Sequence, residues 1–204
     1  MIRRRPLVAL LALGSQFARA QAGPLPTLRE RLTTAPVVRG EFEQRKTVKG
    51  FRHALTSRGD FVVARGRGVL WRTQEPFAQS LLVTPDRLIA RRTDGATASR
   101  LDATREPALQ AINQTLFALM GADLDVLARR FDVATELRGA QAWRLVLLPR
   151  DTQVSAWIER VELEGDRFVH QVQISEKSGD ATLIRFFNQQ PAEALTADEE
   201  AAFA

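Results

Sequence analysis

GDFVVARGRGVLWRTQEPFAQSLLVT, Gly59–Thr84, is the stretch that decides the fold class. From Asp60 to Arg65 the residues alternate, with Phe61, Val63 and Arg65 on one face. Gly66-Arg67-Gly68 supplies a turn, after which Val69, Trp71 and Thr73 alternate with Leu70 and Arg72. Pro76 closes that strand, and Phe77–Thr84 reads as another, separated at Pro85-Asp86 from a fourth over Arg87–Arg92. Short strands joined by tight turns argue for an antiparallel meander and against βαβ units, whose crossovers need a dozen or more residues.

Upstream, Thr27-Leu28-Arg29-Glu30 has the form of a capping box, so a short helix is expected to start at Thr27 and to end at Pro36. A strand from Val37 to about Val48 then puts Val38, Gly40, Phe42, Gln44 and Lys46 on one face. Downstream the period changes. From Pro107, Leu109, Ile112, Leu116, Leu119 and Met120 recur at threes and fours, with Gly121 as a C-cap and a second helix over Asp123–Arg130. Strands are expected again from Phe131, over Trp143–Leu148, Val154–Glu164, Phe168–Ile174 and Ala181–Gln189. Gly139-Ala140, Gly165-Asp166 and Ser178-Gly179 mark the hairpin turns, and Thr196 with Glu199 forms another capping box near the end. The chain is mainly β with a few short helices. One long antiparallel sheet of this kind either closes as a barrel or curls into a half-barrel with helices stopping its mouth.

The first twenty residues have the three regions of a secretory signal. Arg3, Arg4 and Arg5 precede an apolar Leu7–Leu13, and Ala18-Arg19-Ala20 supplies the cleavage site. Residues 1–20 are therefore expected to leave, and 21–204 to form a single exported domain, the apolar run being far short of the ~20 residues that span a bilayer. The whole chain has 29 Lys plus Arg against 24 Asp plus Glu, a net +5. Four of those arginines lie in the signal and no acid does, so the mature balance is 25 to 24, or +1. That gives little support to nucleic-acid binding, and Arg65/Arg67, Arg91/Arg92 and Arg129/Arg130 read as solvated faces. With no cysteine, the chain has no disulfide, thiolate metal site, cysteine nucleophile or lipid-modified cysteine.

Catalytic signatures are few. The histidines are His53, in a polar turn, and His170, which shares a strand face with Phe168, Val172 and Ile174. A satisfied buried histidine is the commoner outcome at such a position, and an esterase using Ser155 or Ser175 with His170 is a minor reading. No nucleophile elbow, phosphate loop or metal-spaced histidine pair occurs. The expectation is neither an enzyme nor a cofactor protein.

Four pieces between Val38 and Thr84 resemble the LolA family of periplasmic lipoprotein carriers. Gly40-Glu41-Phe42-Glu43-Gln44 is similar to the family's first-strand phenylalanine-x-glutamine, and Gly59–Arg65 to its second strand, which ends in arginine. Trp71 follows six residues later with Glu75-Pro76 behind it, and Leu81–Thr84 is similar to the next strand. The resemblance implies a curved open half-barrel of about ten or eleven strands, lidded by short helices over a hydrophobic cavity. It implies acylated lipoproteins or other lipids as cargo, an inner-membrane ATP-driven transporter as donor and an outer-membrane receptor as acceptor. On this frame the face assignment puts Phe42, Phe61, Val63, Val69 and Trp71 on the concave side, with Leu116, Phe117 and Met120 from the lid. Each of these is as readily plain core. Arg65, on the apolar parity of its strand, corresponds to an arginine that latches the lid by hydrogen bonds to helix carbonyls; the alternative is a strand-end arginine in solvent. Departures from the family pattern are Gly66 where proline usually follows the arginine, Val69 for an aromatic, and Leu88-Ile89-Ala90-Arg91 for a tryptophan-and-tyrosine stretch. Different acyl cargo, a lipid sensor of the same fold and a structural envelope subunit are the other readings.

Overall fold

The computed structural model describes residues 25–85, 87–92, 97–102 and 123–203. Eleven strands form one antiparallel sheet. Six run outward as a meander: β1 Val37–Thr47, β2 Leu55–Ala64, β3 Gly68–Glu75, β4 Gln79–Val83, β5 Arg87–Arg92 and β6 Thr97–Asp102. Five return from the other edge: β7 Phe131–Arg138, β8 Ala142–Pro149, β9 Ile158–Gly165, β10 Val169–Glu176 and β11 Ala181–Ala192. The spatial order is β6-β5-β4-β3-β2-β1-β11-β10-β9-β8-β7, so the first and last strands pair at the centre. β6 and β7, consecutive among the described strands, are the two outer edges of an open sheet. Among the described residues four helices accompany it: α1 Leu25–Arg31, α2 Leu124–Arg130, α3 Thr152–Ser155 and α4 Ala197–Phe203. Among the described residues no helix is long and apolar enough to cross a membrane.

The two halves of the sheet bury themselves differently, and the sequence shows why. In β8 and β9, Trp143, Leu145, Leu147, Val161 and Leu163 face the core while Arg144 pairs with Glu162 and Glu164 on the outer side. That is the alternation of a sheet with one wet face. In β2 the run Phe61-Val62-Val63-Ala64 is buried throughout. Phe61 and Val63 join the main core on the concave side, whereas Val62 and Ala64 join a second cluster with Leu70, Leu82, Ile89 and Phe203. The helix behind the sheet is α4, so this run is continuous because both its faces are covered.

Charge fixes α4 in place. Arg39 of β1 donates from Nε and a terminal nitrogen to Glu199 at 2.6 and 2.5 Å, and to the Ala194 carbonyl at 2.9 Å. Glu199 completes the capping box by accepting from the Thr196 amide at 2.7 Å, while its own amide donates to the Thr196 hydroxyl at 3.3 Å. Arg67 adds an ion pair to Glu200 and lies over the Phe203 ring.

Several local expectations change. α1 starts at Leu25, which puts Thr27 inside the helix instead of at its cap, and it ends at Arg31, well before Pro36. β2 begins at Leu55, five residues earlier than the apolar run suggests, because β1 supplies backbone partners as far as Lys46. β4 starts at Gln79, leaving Phe77 in a turn at 80% exposure. β6 was not signalled by the sequence. The stretch expected as one strand over Val154–Glu164 divides into α3, capped by Asp151 on the Gln153 amide, and β9. β11 runs three residues past Gln189, to Ala192. The helix expected from Pro107 lies outside the described residues.

The buried Glu199 carboxyl is held down at about 2, from an ordinary 4.5, first by its hydrogen bonds from Arg39, against the opposing cost of burial. A carboxylate whose folded pKa is depressed stabilises the fold fully above the ordinary value and loses that contribution as pH falls toward the folded one. Glu199→Gln is therefore expected to lower stability by about 2–3 kcal/mol at neutral pH. In paired denaturation curves the gap to the parent should close between about pH 4.5 and 2. A gap independent of pH would contradict the clamp.

Candidate acyl-chain cavity

Four aromatic rings pave the concave side of the central strands. Phe42 of β1 stacks on Trp71 of β3 with centroids 3.7 Å apart, and Phe61 of β2 meets Phe186 of β11 edge-on at 5.2 Å. Trp71 and Phe186 close the quartet at 6.1 Å. Room for the Phe61 ring comes from its register partner Gly40, where a Cβ would lie 2.8 Å from the ring. Rings in offset and edge-on contact hold one another more tightly than area burial alone would.

Above Phe61 and Phe186 opens a cavity of about 350 Å³. Its floor is apolar: Val38, Phe61, Val63, Val169 and Phe186. Leu32, Thr33 and Ala35, from the segment between α1 and β1, form one wall, and Arg167 and Phe168 of the β9–β10 turn form another. Asp123 contributes at the start of α2, where its carboxylate caps the helix by accepting from the Val126 amide at 3.1 Å. Arg65 and Gly66 stand at the rim.

Two register shifts aim side chains into this space. β11 gains a residue between the pairs Arg39↔Gln190 and Glu41↔Phe187, where Asn188 has φ of 50°. Phe186 and Gln189, three apart, consequently both face the cavity, and the Gln189 amide donates to the Val169 carbonyl at 2.8 Å. β10 gains His170 between Val169↔Gly165 and Gln171↔Glu164, so Val169 and Val172 both face inward. His170 is thereby turned out of the cavity face on which strict alternation placed it. It is half exposed, with Nε2 3.0 Å from the Asp166 carboxylate. His53 lies exposed in the β1–β2 hairpin.

Of the residues expected from the sequence, Phe61, Val63 and Arg65 come together at the cavity. Phe42 and Val69 are on the same core face but packed within it, at 2% and 1% exposure, and half-buried Trp71 lies against Phe42. Leu116, Phe117 and Met120 fall outside the described residues. Arg65 is exposed at the end of β2, and its guanidinium donates to the carbonyl of Thr33, two residues beyond α1, at 2.8 Å. Its backbone amide donates to Pro36 at 2.8 Å, so main chain and side chain both hold the α1–β1 segment against the rim. Of the lining residues not foreseen, Gln189 needed the register shift, Leu32 and Arg167 needed the tertiary fold, Phe186 faces inward by the ordinary alternation of β11 opposite Phe42, and Val38 was legible from the parity of β1.

The wall formed by Arg167 and Phe168 has its own support. The Trp143 indole, fully buried, donates to the Asp166 carbonyl at 2.5 Å, and the Asp166 carboxylate accepts from the Phe168 amide at 3.1 Å. Gly165 fits there because a side chain would meet the Phe168 carbonyl at 2.0 Å and the Trp143 ring at 2.8 Å.

The model of the family described as outer membrane lipoprotein carrier protein LolA matches residues 33–199. A relative from Ralstonia nicotianae, an outer-membrane lipoprotein carrier protein, is 35% identical over 88 residues, a match that covers 40% of this chain and 41% of the relative. Among solved structures, a LolA superfamily protein of Nitrosomonas europaea aligns over 88% of this chain and 95% of its own, with 12% identity and a TM-score of 0.49. A Pseudomonas aeruginosa MucA/MucB complex aligns over 86% of this chain and 58% of the matched one, at 17% identity and a TM-score of 0.47. Superpositions this loose carry no functional weight.

Trp143→Phe removes the indole donor together with part of the buried ring, leaving the Asp166 carbonyl short of a partner. A loss of about 1–2 kcal/mol in chemical denaturation is expected. An unchanged midpoint would mean that this hydrogen bond does not hold the turn.

Proposed function

The chain belongs to the LolA family, and from that premise we propose that it is a periplasmic carrier. It holds the acyl chains of lipoproteins on its concave face and takes them from the inner membrane toward the outer one. The observation that carries this reading is an apolar cavity on the concave face of an open sheet, with a peptide segment tied across its rim by Arg65. A volume of about 350 Å³ falls in the range of roughly 300–1,000 Å³ usual for small-ligand sites.

The physical task is to make an acyl chain as comfortable in the protein as in lipid and still release it. Each buried methylene is worth ~0.8 kcal/mol, so a long chain resists leaving a bilayer by on the order of 10 kcal/mol. A floor of Phe61, Val63, Val38 and Phe186 offers matching apolar surface. The sheet remains open between β6 and β7, so cargo is covered by movable segments and not by a closed barrel. The hydrogen bond from Arg65 to Thr33 joins a strand end to such a segment, and breaking it removes one tie on the Leu32–Ala35 wall, which the Arg65 and Thr33 amides also hold through the Pro36 and Arg167 carbonyls. Arg65 thus acts as the latch between loaded and open states. The protein works by binding and transfer, not catalysis, receiving cargo from an ATP-driven transporter and delivering it to an outer-membrane acceptor.

The test is native mass spectrometry of the protein purified from periplasm without detergent, with transfer followed between membranes. Acylated lipid or lipoprotein is expected to co-purify with the parent chain. Val38→Glu, which puts a carboxylate on the half-buried floor position, should lower acyl binding about tenfold or more. Arg65→Leu should bind cargo and exchange it at an altered rate; parent-like transfer kinetics would remove the latch. A clean apo mass together with no uptake of a hydrophobic probe would overturn the carrier reading.

A further inference from the structure

The strand directions divide the loops between two ends of the sheet. Arg65, the β9–β10 turn and the cavity rim lie at one end; the β1–β2, β3–β4 and β10–β11 tips and the β8–β9 connection lie at the other. At that far end large apolar side chains stand in water. Phe51 is 71% exposed, Leu55 63%, Phe77 80% and Trp157 71%. Single apolar residues scattered over a surface are ordinary, but four along one rim are a patch.

These tips adjoin one another. The Lys49 amide donates to the Asp180 carboxylate at 3.0 Å, and the Lys177 amide donates to the Trp157 carbonyl at 2.9 Å. Trp157, the β10–β11 tip and the β1–β2 tip with Phe51 and Leu55 thus form a continuous edge, which β2 and β3 extend to Phe77. From β9 to β3 six neighbouring strands at ~4.8 Å spacing give an edge roughly 25 Å long. Exposed Lys49, Arg52 and Lys177 stand along it, with no acidic side-chain partner among the described residues. Of the nearby acids, Glu176 pairs with Lys46 at 3.2 Å and Glu75 shares Arg58 with Glu43. Asp180, which accepts from the Lys49 amide, and Glu159, exposed at the start of β9, have no cationic partner among the described residues.

We propose that this rim docks the protein on an anionic lipid bilayer. Phe51, Leu55, Phe77 and Trp157 enter the headgroup layer, and Lys49, Arg52 and Lys177 face its phosphates. Aromatic rings interleaved with free cations match the membrane interface, where rings sit at headgroup depth and each basic residue gains from the negative surface. A second copy on a two-fold axis would instead set the same cations against one another. Docked in this way, the strands lead away from the lipid and the Arg65 end stays in solution.

The test is co-sedimentation with vesicles of phosphatidylglycerol in phosphatidylethanolamine, and with vesicles of phosphatidylcholine alone, while tryptophan emission is recorded. Trp143 is buried and Trp71 half-buried, so a blue shift on binding reports Trp157. The parent is expected to bind the anionic vesicles with that shift and the zwitterionic ones far more weakly. K49E/R52E/K177E and F51S/F77S/W157S should each lose about tenfold or more in partitioning. All six positions are exposed, so the core stays intact and uptake of an acyl probe by the cavity should be unchanged. Absence of binding to either vesicle, or equal binding by parent and variants, would overturn the proposal. Light scattering that shows a dimer broken by the serine variant would assign the rim to a second copy.

Discussion

The pairing of β1 with β11 is the constraint on which the rest of this molecule depends. The strands match from Val37↔Ala192 to Thr47↔Ala181, joining the two ends of the sequence at the centre of the sheet. The other strand pairings are hairpins or short connections between sequence neighbours. This one closes a loop that runs from Thr47 to Ala181 and contains the strands of both meanders, so its entropy is recovered only when both are in place. Once it forms, Phe42, Phe61 and Trp71 of the first meander face Phe186 of the second, and the concave face becomes one surface. α4 follows directly from the end of β11 and is clamped to β1 through Arg39 and Glu199. The same seam therefore positions the cover of the convex side.

Openness follows from the same topology. A sheet that runs outward from β1 to β6 and returns inward from β7 to β11 leaves β6 and β7 as its edges, and an unclosed sheet has to finish its concave face with other segments. α2 does part of this, burying Leu124 and Leu127 in the main core. The Leu32–Ala35 segment does another part, held by hydrogen bonds from Arg65 and not by apolar packing alone. A wall held by a few polar contacts opens at lower cost than a packed core, which suits a site that has to both hold and release.

Much of the fold was legible because its strands are half-exposed. Alternation in Val37–Thr47 and Ala142–Pro149 marks a core face and a wet face, and the glycine turns mark the hairpins. Where alternation misled, the backbone had departed from a period of two. The extra residue at His170 reverses parity and puts an imidazole in solvent, and the one at Asn188 turns Gln189 into the cavity. Phe77 looked like strand because apolar residues predict burial, yet it lies on a tip. β6, with Thr97-Ala98-Ser99-Arg100 at its start, has little hydrophobic pattern and takes its extended form from pairing with β5.

By itself the sequence determined the antiparallel class, the outward order of the strands and the core parity of Phe42, Phe61, Val63 and Trp71, because side-chain period and turn chemistry are local. Its resemblance over Val38–Thr84 also placed it in the family that the comparison over residues 33–199 bears out. Tertiary structure alone decided that β1 meets β11, that Phe61 and Phe186 rather than Phe42 and Val69 floor the cavity, and that Arg65 reaches the carbonyl of Thr33. Those are contacts between residues far apart in the chain or across a register shift. Local alternation says which way a side chain points from its own strand, and nothing about what the rest of the sheet brings opposite it.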